Sequence, residues 1–267
     1  MDCSFAYTPG HDVLRGVSVE CPPGHVTAII GPNAGGKTTL LRLLAGLRTP
    51  DRGTVRFEGE AAAEMGALST LERARRVVYL PQRSEVAFGF STREVVELGG
   101  FAAGRGEKAE RAGSNDIVDR ALAEVQLAEH AGVGFATLSA GQQQRATLAR
   151  ALVQLDAWRD ENGTKRFLLA DEPVSAMDPK QALRSMVTIR ALASRGFGVV
   201  CVLHDLSLAL RFADEVVMIA AGGSVLAAGP TPETMHAQSL SDLYGVTFET
   251  LHDAEGRPAA FVPTRVM

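Results

Sequence analysis

Short apolar runs divided by turn clusters set the rhythm of this chain. Cys3 to Tyr7, Val13 to Val19 and Val26 to Ile30 are broken at Thr8-Pro9-Gly10 and Cys21-Pro22-Pro23-Gly24, which predicts three strands. Leu40, Leu41, Leu43, Leu44 and Leu47 then recur at helical spacing. Thr49-Pro50-Asp51-Arg52-Gly53 is a turn, Thr54 to Phe57 a short strand ending at Glu58-Gly59, and residues 64 to 75 read as a helix. Val77 to Leu80 is a compact strand that Pro81-Gln82 stops.

From Ser84 to Thr137 the texture changes. Thr92 to Leu98 and Asp116 to Leu127 predict helices around a polar stretch, Gly104 to Asn115, read as a solvated loop. Residues 84 to 137 thus form a helical insert between strands, without coiled-coil heptads. A helix opening at Leu138-Ser139-Ala140-Gly141-Gln142 carries Leu148, Ala151, Leu152 and Leu155 on one side. Asp156 to Lys165, with Trp158, reads as a surface connection. Phe167 to Ala170 and Gly198 to Leu203 are unbroken apolar runs, as strands buried on both faces require, with a helix from Lys180 to Ala193 between them. A hairpin follows around Gly222-Gly223, then a helix at Thr231 to Gln238 and a tail, 239 to 267, whose Asp253-Ala254-Glu255-Gly256 turn joins two apolar segments.

The polar residues that matter sit where these strands end. Gly31-Pro32-Asn33-Ala34-Gly35-Gly36-Lys37-Thr38-Thr39 reads G-x-x-x-x-G-K-[ST] between a strand and a helix. Glycines admit the backbone close to a polyphosphate, successive N–H groups form an anion nest, and the helix N-terminus adds partial positive charge. Lys37 is placed to reach the β- and γ-phosphates, and the Thr38 hydroxyl to ligate Mg²⁺. Asp171 and Glu172 close the strand at Phe167; buried acids are costly unless they serve something. Asp171 suits Mg²⁺ through a water, and Glu172 suits polarising an attacking water. Gln82 and His204 end two further strands, Gln82 within reach of Mg²⁺ or the water and His204 able to hydrogen-bond a γ-phosphate oxygen. Ser139 and Gln142 have capping-box spacing, which fits either a structural helix start or a second anion site. Tyr7 lies on a strand that can fold over a bound base and stack on it, or is simply half-buried.

Charge narrows the options. Lys and Arg number 27 against 31 Asp and Glu, so no basic face exists to follow a nucleic-acid backbone. Cys3, Cys21 and Cys201 are scattered and suit a reducing compartment as small core residues. The remaining histidines, His11, His25, His130, His236 and His252, lack metal-ligand spacing. No run approaches the roughly 18 apolar residues that span a bilayer, and the first residues lack a signal-peptide pattern, so any membrane role is expected to come through a partner.

In this order the motifs resemble the nucleotide-binding subunit of ATP-binding cassette transporters over nearly the whole chain. Tyr7 matches the A-loop aromatic, Gly31 to Thr39 Walker A, Gln82 the Q-loop, Leu138 to Gln142 the signature, Asp171-Glu172 Walker B, Ser175 to Asp178 the D-loop and His204 the switch histidine. The resemblance implies an α/β fold: a P-loop NTPase core of mostly parallel sheet flanked by helices, with an N-terminal antiparallel β subdomain and an inserted α-helical subdomain. It also implies an ATPase that works as a head-to-tail dimer. ATP and Mg²⁺ held by Asn33, Ala34, Gly35, Gly36, Lys37, Thr38 and Thr39 of one copy are closed by Ser139, Ala140, Gly141 and Gln142 of the other.

The implied partners are a transmembrane permease dimer and, indirectly, a substrate-binding protein, on the cytoplasmic face of the inner membrane. Four positions depart from the family pattern: Ala140 and Ala34 replace usual glycines, Val174 a common threonine and Met177 a common leucine. The Pro81-Gln82 segment, the insert, His204-Asp205-Leu206 and the tail near Leu243-Tyr244-Gly245-Val246 are similar to importers of iron-siderophore complexes, haem and cobalamin. The tail with Phe261-Val262-Pro263 puts ferric siderophore first, while the Trp158 loop resembles haem importers. Rival readings are an exporter of the same fold and a soluble cassette protein of DNA repair or translation, although neither its coiled-coil insertion nor a second cassette is here. A P-loop kinase or GTPase needs no Ser139 helix start, and no Asn-Lys-x-Asp element is present.

Overall fold

The computed structural model describes residues 2–57, 63–83, 89–103, 111–157 and 165–266. Strands β1 (Cys3–Thr8) and β2 (His11–Val17) form an antiparallel hairpin, and β3 (Val26–Ile30) leads into α1 (Lys37–Leu44). The short strands β4 (Arg56–Phe57) and β5 (Ala63–Glu64) pair, then α2 (Thr70–Arg76) runs into β6 (Val77–Leu80). Helices α3 (Thr92–Glu97), α4 (Arg111–Glu124) and α5 (Ala140–Ala157) precede β7 (Phe167–Asp171). Next come α6 (Pro179–Ser194), β8 (Gly198–Val202), α7 (Leu206–Phe212), β9 (Glu215–Ile219) and β10 (Val225–Pro230). Two short helices, α8 (Thr231–Thr234) and α9 (Ala237–Tyr244), lead to a terminal hairpin of β11 (Val246–His252) and β12 (Pro258–Val266).

The central sheet has the order β10-β9-β3-β8-β7-β6, parallel except for β10. Apart from Thr27 and the terminal Asp171, its middle strands are apolar because both faces are covered. Successive side chains point to opposite faces, and the core divides accordingly. Ala28, Ile30, Leu168, Ala170 and Cys201 face the layer of α5, α6 and α7. Ile29, Leu169, Val200 and Val202 face α1 and the β1–β2 hairpin. Leu40, Leu41 and Leu43 of α1 are almost wholly buried, each contributing about 1.5–3 kcal/mol of apolar transfer.

Strand order also arranges the chemistry. Because β8, β7 and β6 are neighbours, residues just past their C-terminal ends line up along one sheet edge as His204, Glu172 and Gln82. This is the edge at which open parallel sheets bind ligands.

Some elements differ from the sequence expectation. Residues 64 to 75 are not one helix: Glu64 belongs to β5, Met65–Ala67 is a 3₁₀ turn, and α2 starts only after Ser69. The reciprocal Ser69–Glu72 capping box fixes that start, while Met65 turns into the core. The strand expected at Thr54 to Phe57 contracts to β4; Glu58 and Gly59 lie outside the described residues. The strand expected at Val13 to Val19 is shifted to His11–Val17, since the tight Pro9-Gly10 turn pairs Thr8 directly with His11.

Helix α4 begins at Arg111, so the polar stretch is helical from there; residues 104–110 are outside the described set. Val118, Ala121 and Leu122 anchor that helix against the insert core. Thr231 to Gln238 splits into α8 and α9 because Met235 is buried in extended conformation and His236 caps a new helix, its Nδ1 accepting from Ser239 N at 3.2 Å. Trp158 and most of its loop are likewise outside the described residues.

Candidate functional site

The loop from Gly31 is shaped by what a side chain would strike. A Cβ at Gly31 would lie 2.1 Å from the Ile219 carbonyl oxygen, and one at Gly36 2.8 Å from that of Val13. Gly36 is also left-handed, with φ of 95°, as N-cap of α1, and supplies no side-chain cap, so the helix N-terminus stays open for an anion. Ala34 too sits in the left-handed region, φ 62°, where a Cβ costs about 1–2 kcal/mol. That explains the usual glycine. Ala34→Gly is therefore expected to stabilise the chain by up to about 1 kcal/mol after glycine's greater unfolded-state entropy is offset, measurable as a raised denaturant midpoint.

Lys37 is buried and its Nζ donates to the carbonyls of Gly31 and Pro32, both at 2.8 Å. An ammonium has three N–H bonds, so one is left for a phosphate oxygen. Burial lowers the Lys37 pKa, opposed by the negative charges of Glu172 and Asp171. Thr38 Oγ1 donates to Asp171 Oδ1 at 3.0 Å, joining the loop to the end of β7. Asp171 is raised by burial, with the Thr38 bond pulling the other way. A hydroxyl and a carboxylate brought together this way are hard oxygen donors suited to Mg²⁺.

Glu172 is gripped from both sides. Gln82 Nε2 donates to one carboxylate oxygen at 2.5 Å and His204 Nε2 lies 2.7 Å from the other. Its backbone has φ of 50°, a strained value for a side chain of this size. Gln144, buried on α5, ties the backbone there: its Nε2 donates to the Glu172 carbonyl at 2.7 Å and its Oε1 accepts from Ala176 N at 3.2 Å.

The start of α5 carries the expected capping box. Ser139 N donates to Gln142 Oε1 at 2.9 Å and Gln142 N to Ser139 Oγ at 3.3 Å. The Gln142 amide also meets His130 Nε2 at 3.1 Å, so His130 supports the signature residues although sequence alone marked it as unremarkable. Ser139 and Ala140 are exposed. Tyr7 is 51 % exposed, with Oη 3.4 Å from Thr39 Oγ1 and its ring edge-on to Phe5.

The structure thus gathers Lys37, Thr38, Asp171, Glu172, Gln82 and His204 along one edge, with Tyr7 beside Thr39. The hydrogen bonds of Ser139 and Gln142 stay within the insert and signature helix. Gln144 was discoverable: it lies four residues before Leu148 and seven before Ala151, a polar residue on the apolar stripe of α5. Tyr79, whose Oη lies 3.4 Å from Asp171 Oδ2, gave no such signal.

Residues 14–175 match the sequence profile of the ABC transporter family. The chain belongs to that family. It is similar to the hemin import ATP-binding protein HmuV of Rhizobium meliloti (strain 1021), 39 % identical over 88 % of this chain and 87 % of that one. The protein of the same name from Roseobacter denitrificans is 43 % identical over 87 % of this chain and 85 % of its own. Among solved structures, a metal-chelate type ABC transporter in an inward-facing conformation superposes with a TM-score of 0.77 at 21 % identity, over 98 % of this chain and 95 % of that one. The dimeric ATP-binding cassette MJ0796 bound to ADP and Pi gives 0.74 at 25 % identity, over 86 % and 96 %. The ABC ATPase fold, with its mostly parallel sheet and small antiparallel sheets, is as the sequence led one to expect, and the chain is an ATPase.

Proposed function

We propose that this ABC ATPase drives import of an iron chelate, haem ahead of ferric siderophore or cobalamin. Two copies would work head to tail beneath a permease dimer on the cytoplasmic face of the membrane, with a binding protein delivering the solute. Hydrolysis rests on one observation: the Glu172 carboxylate is held by Gln82 and His204 beside Lys37, Thr38 and Asp171. Haem is our first choice, ahead of the siderophore that the tail suggested, and its support is that relatives up to 43 % identical are hemin import ATP-binding proteins. Among the described residues no helix is long and apolar enough to cross a membrane, which is consistent with peripheral attachment.

In this reading the loop amides and the free N–H of Lys37 bind the β- and γ-phosphates, and Thr38 and Asp171, with Gln82 nearby, would hold Mg²⁺. The ion supplies neutralisation of charge on the phosphate oxygens. Glu172 orients the attacking water and draws on its proton. His204 Nε2–H donates to Glu172, fixing the carboxylate, and stands ready to bond a γ-phosphate oxygen instead. Tyr7 stacks on the base. Ser139, Ala140 and Gly141 of the second copy, at the N-terminus of its α5, complete the anion site.

The test is ATP turnover of the chain co-purified with its permease in liposomes, with binding protein and haem, a ferric siderophore or cobalamin in separate arms. Haem is expected to raise turnover several-fold. Stimulation by a siderophore or cobalamin alone would replace the solute, and stimulation by none would remove the importer reading.

A further inference from the structure

The tail reaches the phosphate loop from a side that the family motifs do not describe. Helix α9 ends at Tyr244, Gly245 turns the chain at φ 68°, and the β11–β12 hairpin then lies along α7, the helix that follows His204. Tyr244 and Phe248, with ring centroids 5.9 Å apart, wall a cleft of about 540 Å³ whose other side includes Gly31, Pro32 and His204.

At this point the sheet ladder has ended. The register of β3 stops at Ile29–Val202 toward β8 and at Ile30–Met218 toward β9. The next N–H, that of Gly31, donates to Tyr244 Oη at 3.1 Å, across 213 residues of sequence. The carbonyl of the same glycine accepts from Lys37 Nζ at 2.8 Å. A backbone amide and a backbone carbonyl of one residue are therefore tied, respectively, to the tail and to the phosphate-binding ammonium.

We propose that Tyr244 is a positioning residue for nucleotide binding: its hydroxyl fixes Gly31, and through the Gly31 carbonyl it fixes the aim of Lys37. Gly31 cannot be steadied by a side chain of its own, since the Ile219 carbonyl occupies the space where a Cβ would go. Two of the three Lys37 N–H groups rest on this stretch of backbone, so its displacement would redirect the third. Tyr244 thereby joins the binding machinery, while Phe248 and the rest of the hairpin pack against the core and α7. This inference rests on the reading of Gly31 to Thr39 as the ATP phosphate loop.

Tyr244→Phe keeps the ring and removes only the acceptor. With the full-length chain, MgATP affinity is expected to weaken by about three- to tenfold, the effect of one net hydrogen bond. KM should rise in step while kcat at saturating ATP stays unchanged, and the thermal midpoint should fall modestly because the Gly31 N–H loses its partner. Phe248→Leu, which loosens the ring contact and leaves the hydroxyl, is expected to lower the midpoint without changing KM. Equal ATP affinity in Tyr244→Phe and wild type would overturn the inference, as would a rise in KM in Phe248→Leu matching that of Tyr244→Phe. A wild-type chain with no affinity for ATP would instead overturn the phosphate-loop reading and this inference with it.

Discussion

Replacing Glu172 by Gln is expected to reduce ATP turnover by about 10²–10⁴-fold, the range for losing a general base, while leaving ATP affinity within about twofold. The amide keeps the shape of the carboxylate and still offers Oε1 to His204 or Gln82, so the sheet edge need not rearrange. What it loses is the basicity needed to draw on the proton of a water. With hydrolysis blocked and binding intact, the variant should accumulate as a nucleotide-bound dimer, visible by size-exclusion chromatography with MgATP. Phosphate release at the wild-type rate would take Glu172 out of the reaction. The strained backbone at this residue, φ 50°, supports the same conclusion, because such strain persists only where surroundings over-determine it. Those surroundings are Gln144 on its carbonyl and the two side chains on its carboxylate.

The parts of this site that the sequence disclosed share a physical character. Phe167 to Ala170 and Gly198 to Leu203 are segments buried on both faces, so they appear as unbroken apolar runs and the polar residues that follow each one stand out. Glu172 and His204 were legible for that reason, and Lys37 through the glycine loop that separates β3 from α1. The order of strands in the sheet is not written in any local pattern. Only the structure, by seating β7 between β8 and β6, shows why Glu172 lies between His204 and Gln82.

Local pattern failed where a distant contact decides. Met65 looks like the first turn of a helix, but it fills space against Gly46, where an added Cβ would come within 2.7 Å of its sulfur. Tyr244 reads as the last residue of a tail helix, and nothing near it in sequence points to Gly31. The transported solute left no clear trace either, since in the proposed assembly none of this subunit's side chains touches it.

A mixture of two inactive variants is expected to recover activity that neither has alone. Lys37→Ala removes the ammonium from the phosphate site and should cut turnover by at least about 100-fold, as loss of one aimed donor does. Ser139→Asp retains a good N-cap, so α5 still forms, but sets a carboxylate toward the γ-phosphate bound by the partner and should prevent closure. In a head-to-tail pair each site takes its phosphate loop from one copy and its signature from the other. A mixed dimer therefore places both defects in one site, where without the Lys37 ammonium little γ-phosphate is held for the new carboxylate to repel, so the dimer can still close on the intact second site. Random pairing makes half of the dimers mixed, each with one of two sites working, so turnover should return to about a quarter of wild type if the sites act independently. Phosphate release measured across mixing ratios checks this, with a maximum at equal amounts. If each chain completed its own site, mixing would recover nothing, and the exposed Ser139 would need another role.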